Sequence, residues 1–255
     1  MRQNEGRSWK VSFAIAMFLI AVLIFGSRIW FTGDPDDVIT YLWKQIGFIP
    51  VNLLIVAFLL DGIMSKKEHE AILEKIDMII GTFFTKIGND LVSVVSEANT
   101  NKVQLADLKC IGEWDDKEYE EKLKALKGME IEVDIDMDGP ERREFLEKVY
   151  NILNDNQTFL LSLINNSNLL EKDDFSALLL ALLHLDEELD KRGKLTDITD
   201  ADFQHLVGDV QRVYSLLIYQ WIYYLRYLNR FYPYMISLAI RTNPFDCDAD
   251  VHVTE

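Results

Sequence analysis

Two apolar runs open the chain. Residues 11–31 read VSFAIAMFLIAVLIFGSRIWF, with no charge before Arg28. As a helix rising 1.5 Å per residue, such a run spans about 30 Å, the thickness of a bilayer's hydrocarbon core. Residues 41–64 read YLWKQIGFIPVNLLIVAFLLDGIM, with Lys44 near one end and Asp61 near the other. Charges at those positions can snorkel or pair. A cleaved signal peptide is the rival for the first run, but its apolar part is too long and Phe25-Gly26-Ser27-Arg28 is a poor cleavage site. The pattern predicts a transmembrane hairpin over residues 1–64, with spans at 11–31 and 41–64. Arg2, Arg7 and Lys10 precede the first span, and Lys66 and Lys67 follow the second. Asp34, Asp36 and Asp37 lie between them, with Arg28 and Lys44 near the loop's ends. The positive-inside rule then puts both termini in the cytoplasm of a multi-pass plasma (inner) membrane protein. Trp30, Phe31, Tyr41 and Trp43 form an aromatic belt at the outer interface, and Trp9 marks the inner one.

Asn52, Pro50 and Asp61 interrupt the second span. Intramembrane polar groups can mark an ion or proton path, which would require an oligomeric pore. The plainer reading pairs Asp61 with Lys10 and lets Asn52 hydrogen-bond across helices. We favour the plainer reading.

Beyond residue 64 the pattern becomes amphipathic. Ile72, Ile76, Ile79, Phe83, Ile87, Leu91, Val94 and Ala98 recur with a mean step of ~3.7 residues, near that of a straight α-helix. This predicts a connecting helix over 65–100 that continues from the second span. Gly81 and Gly88 fall on nearly one side of it, as close-approach points or weak points. Further helices are expected at 114–126, at 140–164 after the start signal Gly139-Pro140-Glu141, at 173–191, and at 202–240 with a kink at Pro233. The fold class is all-α: a transmembrane hairpin, a connecting helix and an acidic cytoplasmic bundle over 101–246, with 247–255 as a disordered tail. The last helix is rich in Tyr, Trp and Arg. It reads best as the central bundle helix, whose Tyr hydroxyls and arginines reach acidic neighbours, ahead of an interfacial helix or a third span.

One segment departs from helical periodicity. Residues 129–138, MEIEVDIDMD, alternate apolar and acidic, which predicts a half-buried strand or extended arm with its acids on one face. Such a strand could pair with a partner chain. Asp134, Asp136 and Asp138 followed by Gly139 imitate the start of an EF-hand loop, but Phe145 stands where the bidentate Glu belongs. A solvated acidic edge is therefore preferred over a calcium site. Other metal candidates are His184 with Glu187 or Glu188, and His205 with Asp202 or Asp209, at one-face spacings. Di-iron bundles use Glu-x-x-His with further core carboxylates, a set not evident here. His184 reads better as a partly buried core residue, and Asp202 as a first-turn acid favoured by the helix dipole. No cofactor is implied. No Walker, Rossmann, GxSxG or HExxH pattern occurs.

Composition refines this picture. The formal net charge is −16, which argues against nucleic-acid binding. Residues 1–67 carry seven basic and five acidic side chains; residues 68–255 carry 19 and 37. The acidity belongs to the second part, which an anionic leaflet would repel. Cys110 and Cys247 lack metal-site spacing and read as reduced thiols.

The blocks IPVNLLIVAFLLD, IDMIIGTFFTKIG, NNSNLLEKDDFSALLLALLHLDEEL, HLVGDVQRVYSLL and YPYMISLAIRTNPFD resemble an uncharacterised family of prokaryotic membrane proteins. The resemblance implies an ordered SLAIRTNPFD block but brings no activity and no site residues. The expected function is a non-enzymatic, membrane-anchored helical module that assembles, scaffolds or senses, with the lipid bilayer and a protein partner or second copy as its contacts. The alternatives are an oligomeric pore using Asn52 and Asp61, and a metal-dependent enzyme using His184, Glu188 and His205.

Overall fold

The computed structural model describes the backbone of residues 2–33, 35–193, 195–196 and 198–252, without the side chains of 2–12, 14, 32, 35, 37, 62, 65, 170 and 171. Every regular element among the described residues is helical. The helices are α1 (Arg2–Thr32), α2 (Pro35–Phe83), a π-helical turn (Phe84–Gly88), α3 (Asn89–Ala98), a 3₁₀ segment (Val103–Glu113), α4 (Asp116–Leu126), α5 (Gly139–Asp155), α6 (Gln157–Ile164), a 3₁₀ turn (Ser167–Glu171), α7 (Asp173–Arg192), α8 (Asp200–Phe231) and α9 (Pro233–Arg241). The chain divides into two compact units, Met1–His69 and Glu70–Glu255.

In the first unit α1 ends at Gly33, whose φ of +64° suits a residue without Cβ. The Gly33 N–H donates to the Ile29 carbonyl at 2.9 Å. Across that turn the Phe25 and Tyr41 rings lie 6.2 Å apart and Arg28 sits over Tyr41. Trp30, Phe31 and Trp43 are strongly exposed. Asn52 and Asp61 also face outward on α2. Lys10, named above as the partner of Asp61, lies outside the described side chains, as do Trp9, Arg2 and Arg7; Asp34 is outside the described residues altogether.

The second unit holds the hydrophobic core. Its first buried stripe runs through Ile76, Ile80, Phe83, Phe84, Ile87, Leu91, Val92 and Val95. Phe83 and Phe84 are adjacent and both fully buried, at the start of the π turn. The π turn accommodates an extra residue per turn, and both rings point inward. Phe83 meets Phe175 of α7 edge-on at 5.4 Å, while Phe84 stacks on Tyr224 of α8 at 5.0 Å and 7°. That turn shifts the stripe after Phe83, so Val95 is buried and Val94, in the expected series, is only half-buried.

Local chemistry sets the other boundaries. Asp115 caps α4 and Asp138 caps α5, each in a reciprocal box with the Glu three residues on, Glu118 and Glu141. The helix expected over 140–164 is two helices. Asn156 leaves helical geometry, and its side-chain amide donates back to the Ile152 carbonyl at 2.9 Å. The expected kink at Pro233 is a full break: Tyr232, pushed out of the α region by the following proline, separates α8 from α9. The 3₁₀ segment buries Leu105, Leu108 and Ile111, a three-residue step matching its three residues per turn.

The alternating arm is extended but pairs with no strand among the described residues. Ile131, Val133 and Ile135 are buried while the acids face out. Its N–H groups donate to side chains instead: Ile131 to Ser215 Oγ (2.9 Å), Glu132 to Gln104 Oε1 (2.9 Å), Val133 to Gln211 Oε1 (3.1 Å) and Asp134 to Asn99 Oδ1 (2.9 Å). Four consecutive N–H groups that a partner strand would draw on are thus already used within the chain. The chain end is tethered further than expected. The buried Asn243 donates to the Leu108 carbonyl, Phe245 packs on Trp221, and Asp248 pairs with Lys109 at 2.9 Å.

Gly88 is the tightest point of this packing. A Cβ there would meet the Phe84 ring at Cδ1 and Cε1 and lie 3.0 Å from Phe83 Cε1. Both rings are fully buried and locked by their aromatic neighbours. Gly88→Ala should therefore destabilise the second unit: overpacking costs about 1–3 kcal/mol, against a helix-propensity gain of about 1 kcal/mol. Thermal denaturation should show a lowered Tm; a raised Tm would mean the rings yield freely.

Candidate functional site

Helices α7 and α8 pack antiparallel, and their facing side chains pair in reverse order. Arg192 reaches Asp202, Glu188 lies near His205, and His184 lies near Asp209. On α7, His184 and Glu188 are four residues apart; on α8, His205 and Asp209 are four apart. Each pair therefore shares one helix face. His205 Nε2 lies 3.6 Å from Glu188 Oε2 and 3.6 Å from Asp209 Oδ2. His184 Nε2 lies 3.7 Å from Asp209 Oδ1. One ligand atom each from Glu188, His205 and Asp209 falls within 4.8 Å of the others.

The floor of the cluster is buried and its rim is open. The Asp209 side chain is 5% exposed, whereas those of His184 and His205 are 49% and 56% exposed. His184 thus faces the surface, contrary to the core position expected for it; its flanking leucines, Leu182 and Leu185, take the buried positions. Asp209 Oδ1 accepts a hydrogen bond from Arg212 Nη1 at 2.7 Å. Its Oδ2 is buried with no hydrogen-bond partner among the described residues.

Arg192 organises the other carboxylates. It donates to Glu188 Oε2 at 2.6 Å and to both oxygens of Asp202 at 2.7–3.2 Å. These charge-assisted bonds hold both carboxyls below their usual range. Asp202 also sits in the first turn of α8, as expected. Arg192 and Arg212 were absent from the sequence-based candidate set. Their signals are the i, i+4 spacing from Glu188 and the i, i+3 spacing from Asp209.

The remaining candidates are dispersed. Asp138 is engaged in capping α5, and Asp134 and Asp136 lie exposed on the arm; the three form no comparable ligand group among the described residues. Asn52 and Asp61 are nine positions apart on α2, roughly 14 Å along the axis. A second buried carboxylate, Asp186, accepts from Gln157 at 3.1 Å, and burial pushes its carboxyl up.

Because Glu188 and Asp202 are held low in the folded state, the stability they contribute is in place above about pH 4 and is lost as pH falls below it. Arg192→Met should therefore lower the urea midpoint at pH 7. The gap from wild type should narrow as pH drops from 5 towards 3. A gap independent of pH would mean that Arg192 acts only by packing.

Comparison with known proteins follows the same two-part division. Residues 3–64 match the model for "MJ1433, N-terminal helical domain", and residues 72–241, which include the cluster, match "Uncharacterized protein MJ1433, C-terminal helical domain". Uncharacterized protein MJ1433 of Methanocaldococcus jannaschii is 36% identical over 233 residues, covering 91% of this chain and 92% of its own length. No solved structure matches the chain. The chain accordingly belongs to the MJ1433 family of all-helical proteins, across both its N-terminal and its C-terminal helical domain.

Proposed function

We propose that the protein is a membrane-anchored helical module, with α1 and the apolar part of α2 as a two-span anchor in the plasma membrane. The acidic unit from Glu70 onward then lies in the cytoplasm and assembles with a protein partner or a second copy. The observation that carries this reading is the outward display of apolar side chains on α1 and α2. Phe18, Leu23, Leu53, Phe58 and Leu59 are all at least 60% exposed. The best 18-residue window in the helical stretch Val38–Ala98 has a mean hydropathy of 2.2 and no buried residue. In water such a surface would be strongly unfavourable at about 25 cal/mol per Å² of apolar area. In lipid it is the expected outer face. Ile15–Phe31 of α1 is a shorter apolar helix that fits as the first span.

Support for the assembly role is compositional and structural together. The second unit has a complete core of its own and carries the excess of acid that keeps a surface off an anionic leaflet. Its described surface presents no recognisable reaction motif beyond the cluster between α7 and α8.

Cys110 and Cys247, both exposed and unpaired, give a direct topology test. After alkaline carbonate washing the protein should stay with the membrane fraction. A membrane-impermeant maleimide should label both thiols in inverted vesicles but not in intact cells. Release by carbonate would overturn the anchor, and labelling from outside would reverse the orientation. Native mass spectrometry from detergent should show an oligomer or a co-purifying partner; a strict monomer would overturn the assembly role.

A further inference from the structure

We propose that His184, Glu188, His205 and Asp209 form a binding site for one divalent ion of the Zn²⁺ type, with His205, Asp209 and Glu188 as its principal ligands. The site stands apart from the membrane reading and would exist whether or not the first unit spans a bilayer. Four-coordinate zinc, with metal–nitrogen and metal–oxygen distances of about 2.0–2.2 Å, sets neighbouring ligand atoms roughly 3.3–3.5 Å apart. His205 Nε2 is 3.6 Å from both the Glu188 and the Asp209 oxygen. Both distances from His205 are thus within a few tenths of an ångström of that spacing, and the three ligand atoms all lie within 4.8 Å of one another. His184 lies outside that three-residue group, 3.7 Å from Asp209 Oδ1, and its half-exposed ring would turn inward to supply a fourth ligand.

The second observation is the Asp209 carboxylate itself. It is nine-tenths buried, Arg212 occupies Oδ1, and Oδ2 has no hydrogen-bond partner among the described residues while lying nearest His205 among the cluster's imidazoles. A buried carboxylate oxygen without a partner has lost its hydration and gained nothing in exchange. A cation bound at Oδ2 removes that cost. Neither arginine occupies this oxygen. Arg212 fixes Asp209 from Oδ1, while Arg192 holds the Glu188 carboxylate beside His205 through Oε2, leaving Oε1 and the second lone pair of Oε2 for an ion. Outer partners that orient carboxylate ligands in this way are a regular part of metal sites.

Ligand chemistry selects the ion class. Two imidazoles with two carboxylates suit Zn²⁺ and its first-row neighbours better than Ca²⁺ or Mg²⁺, which take all-oxygen shells. The ligands come from two helices that are consecutive in the chain. Bound metal would therefore staple α7 to α8 on the side away from Phe175 and Phe203, which are buried in the core.

The test uses the full-length protein, stripped with EDTA and titrated with Zn²⁺ against a chromophoric chelator. We expect one ion per chain, a raised Tm in Zn²⁺, and visible absorption of a four-coordinate site when Co²⁺ replaces zinc. His205→Ala, at an exposed position where the fold does not depend on the ring, should weaken binding by more than the roughly 10–100-fold that loss of an outer partner costs. Asp209→Asn should do likewise, and His184→Ala should have a smaller effect. His252→Ala, at a histidine outside the cluster, should leave binding unchanged. Absence of stoichiometric Zn²⁺ binding would overturn the site. So would binding that survives His205→Ala and Asp209→Asn unchanged, since that would place the ion elsewhere.

Discussion

The second unit depends on burying one helix on several sides. Helix α8 presents Phe203, Leu206, Val210, Tyr214, Leu217, Ile218, Trp221, Ile222, Tyr224, Leu225 and Leu228 to the core, a set too broad for a single neighbour to cover. Several elements cover it. Helix α7 packs along it, the π turn and α3 bring Phe84 against Tyr224, α4 brings Asp116 to Arg226, and the extended arm lies on Gln211 and Ser215. At about 1.5–3 kcal/mol for each fully buried large apolar side chain, this helix organises the unit more strongly than any of its surface ion pairs, which contribute about 0–1 kcal/mol each.

Surrounding a helix in this way creates polar obligations, which the structure meets with side chains. Lys172 lies 2.7 Å from Asp77 and 2.6 Å from the Tyr223 hydroxyl, where α2, α7 and α8 approach. The arm, lacking a strand beside it, satisfies its N–H groups with Asn99, Gln104, Gln211 and Ser215. A buried backbone donor left unpaired would cost as much as a lost hydrogen bond. Four polar side chains from three elements therefore serve where a sheet ladder would otherwise be needed. Asn99 acts twice, accepting from the Asp134 N–H and donating to the Glu132 carbonyl at 3.3 Å.

The α7–α8 cluster shows how far local spacing reaches. The i, i+4 relations of His184 with Glu188 and of His205 with Asp209 are legible in the sequence, because 3.6 residues per turn fixes which side chains share a face. That the two faces oppose each other is not legible. It depends on the antiparallel pairing of the helices and on their axial register. The same limit applies to His184: helical periodicity places it beside a leucine run, but the buried arc passes through Leu182 and Leu185 and leaves the imidazole outside.

The sequence by itself determined the elements whose signals are local. The two apolar runs of α1 and α2, the capped starts of α4 and α5, the alternating arm and the interruption at Pro233 all follow from backbone sterics, capping and periodicity within a few residues. Tertiary structure alone decided which neighbours Phe83 and Phe84 meet, the side-chain hydrogen bonds that hold the arm, and the convergence of His205 with Glu188 and Asp209. Such contacts join distant segments: the arm meets Ser215 across 84 positions, and Tyr223 meets Asp77 across 146. A periodic pattern says which face of a helix is apolar. Only packing says which neighbour that face meets.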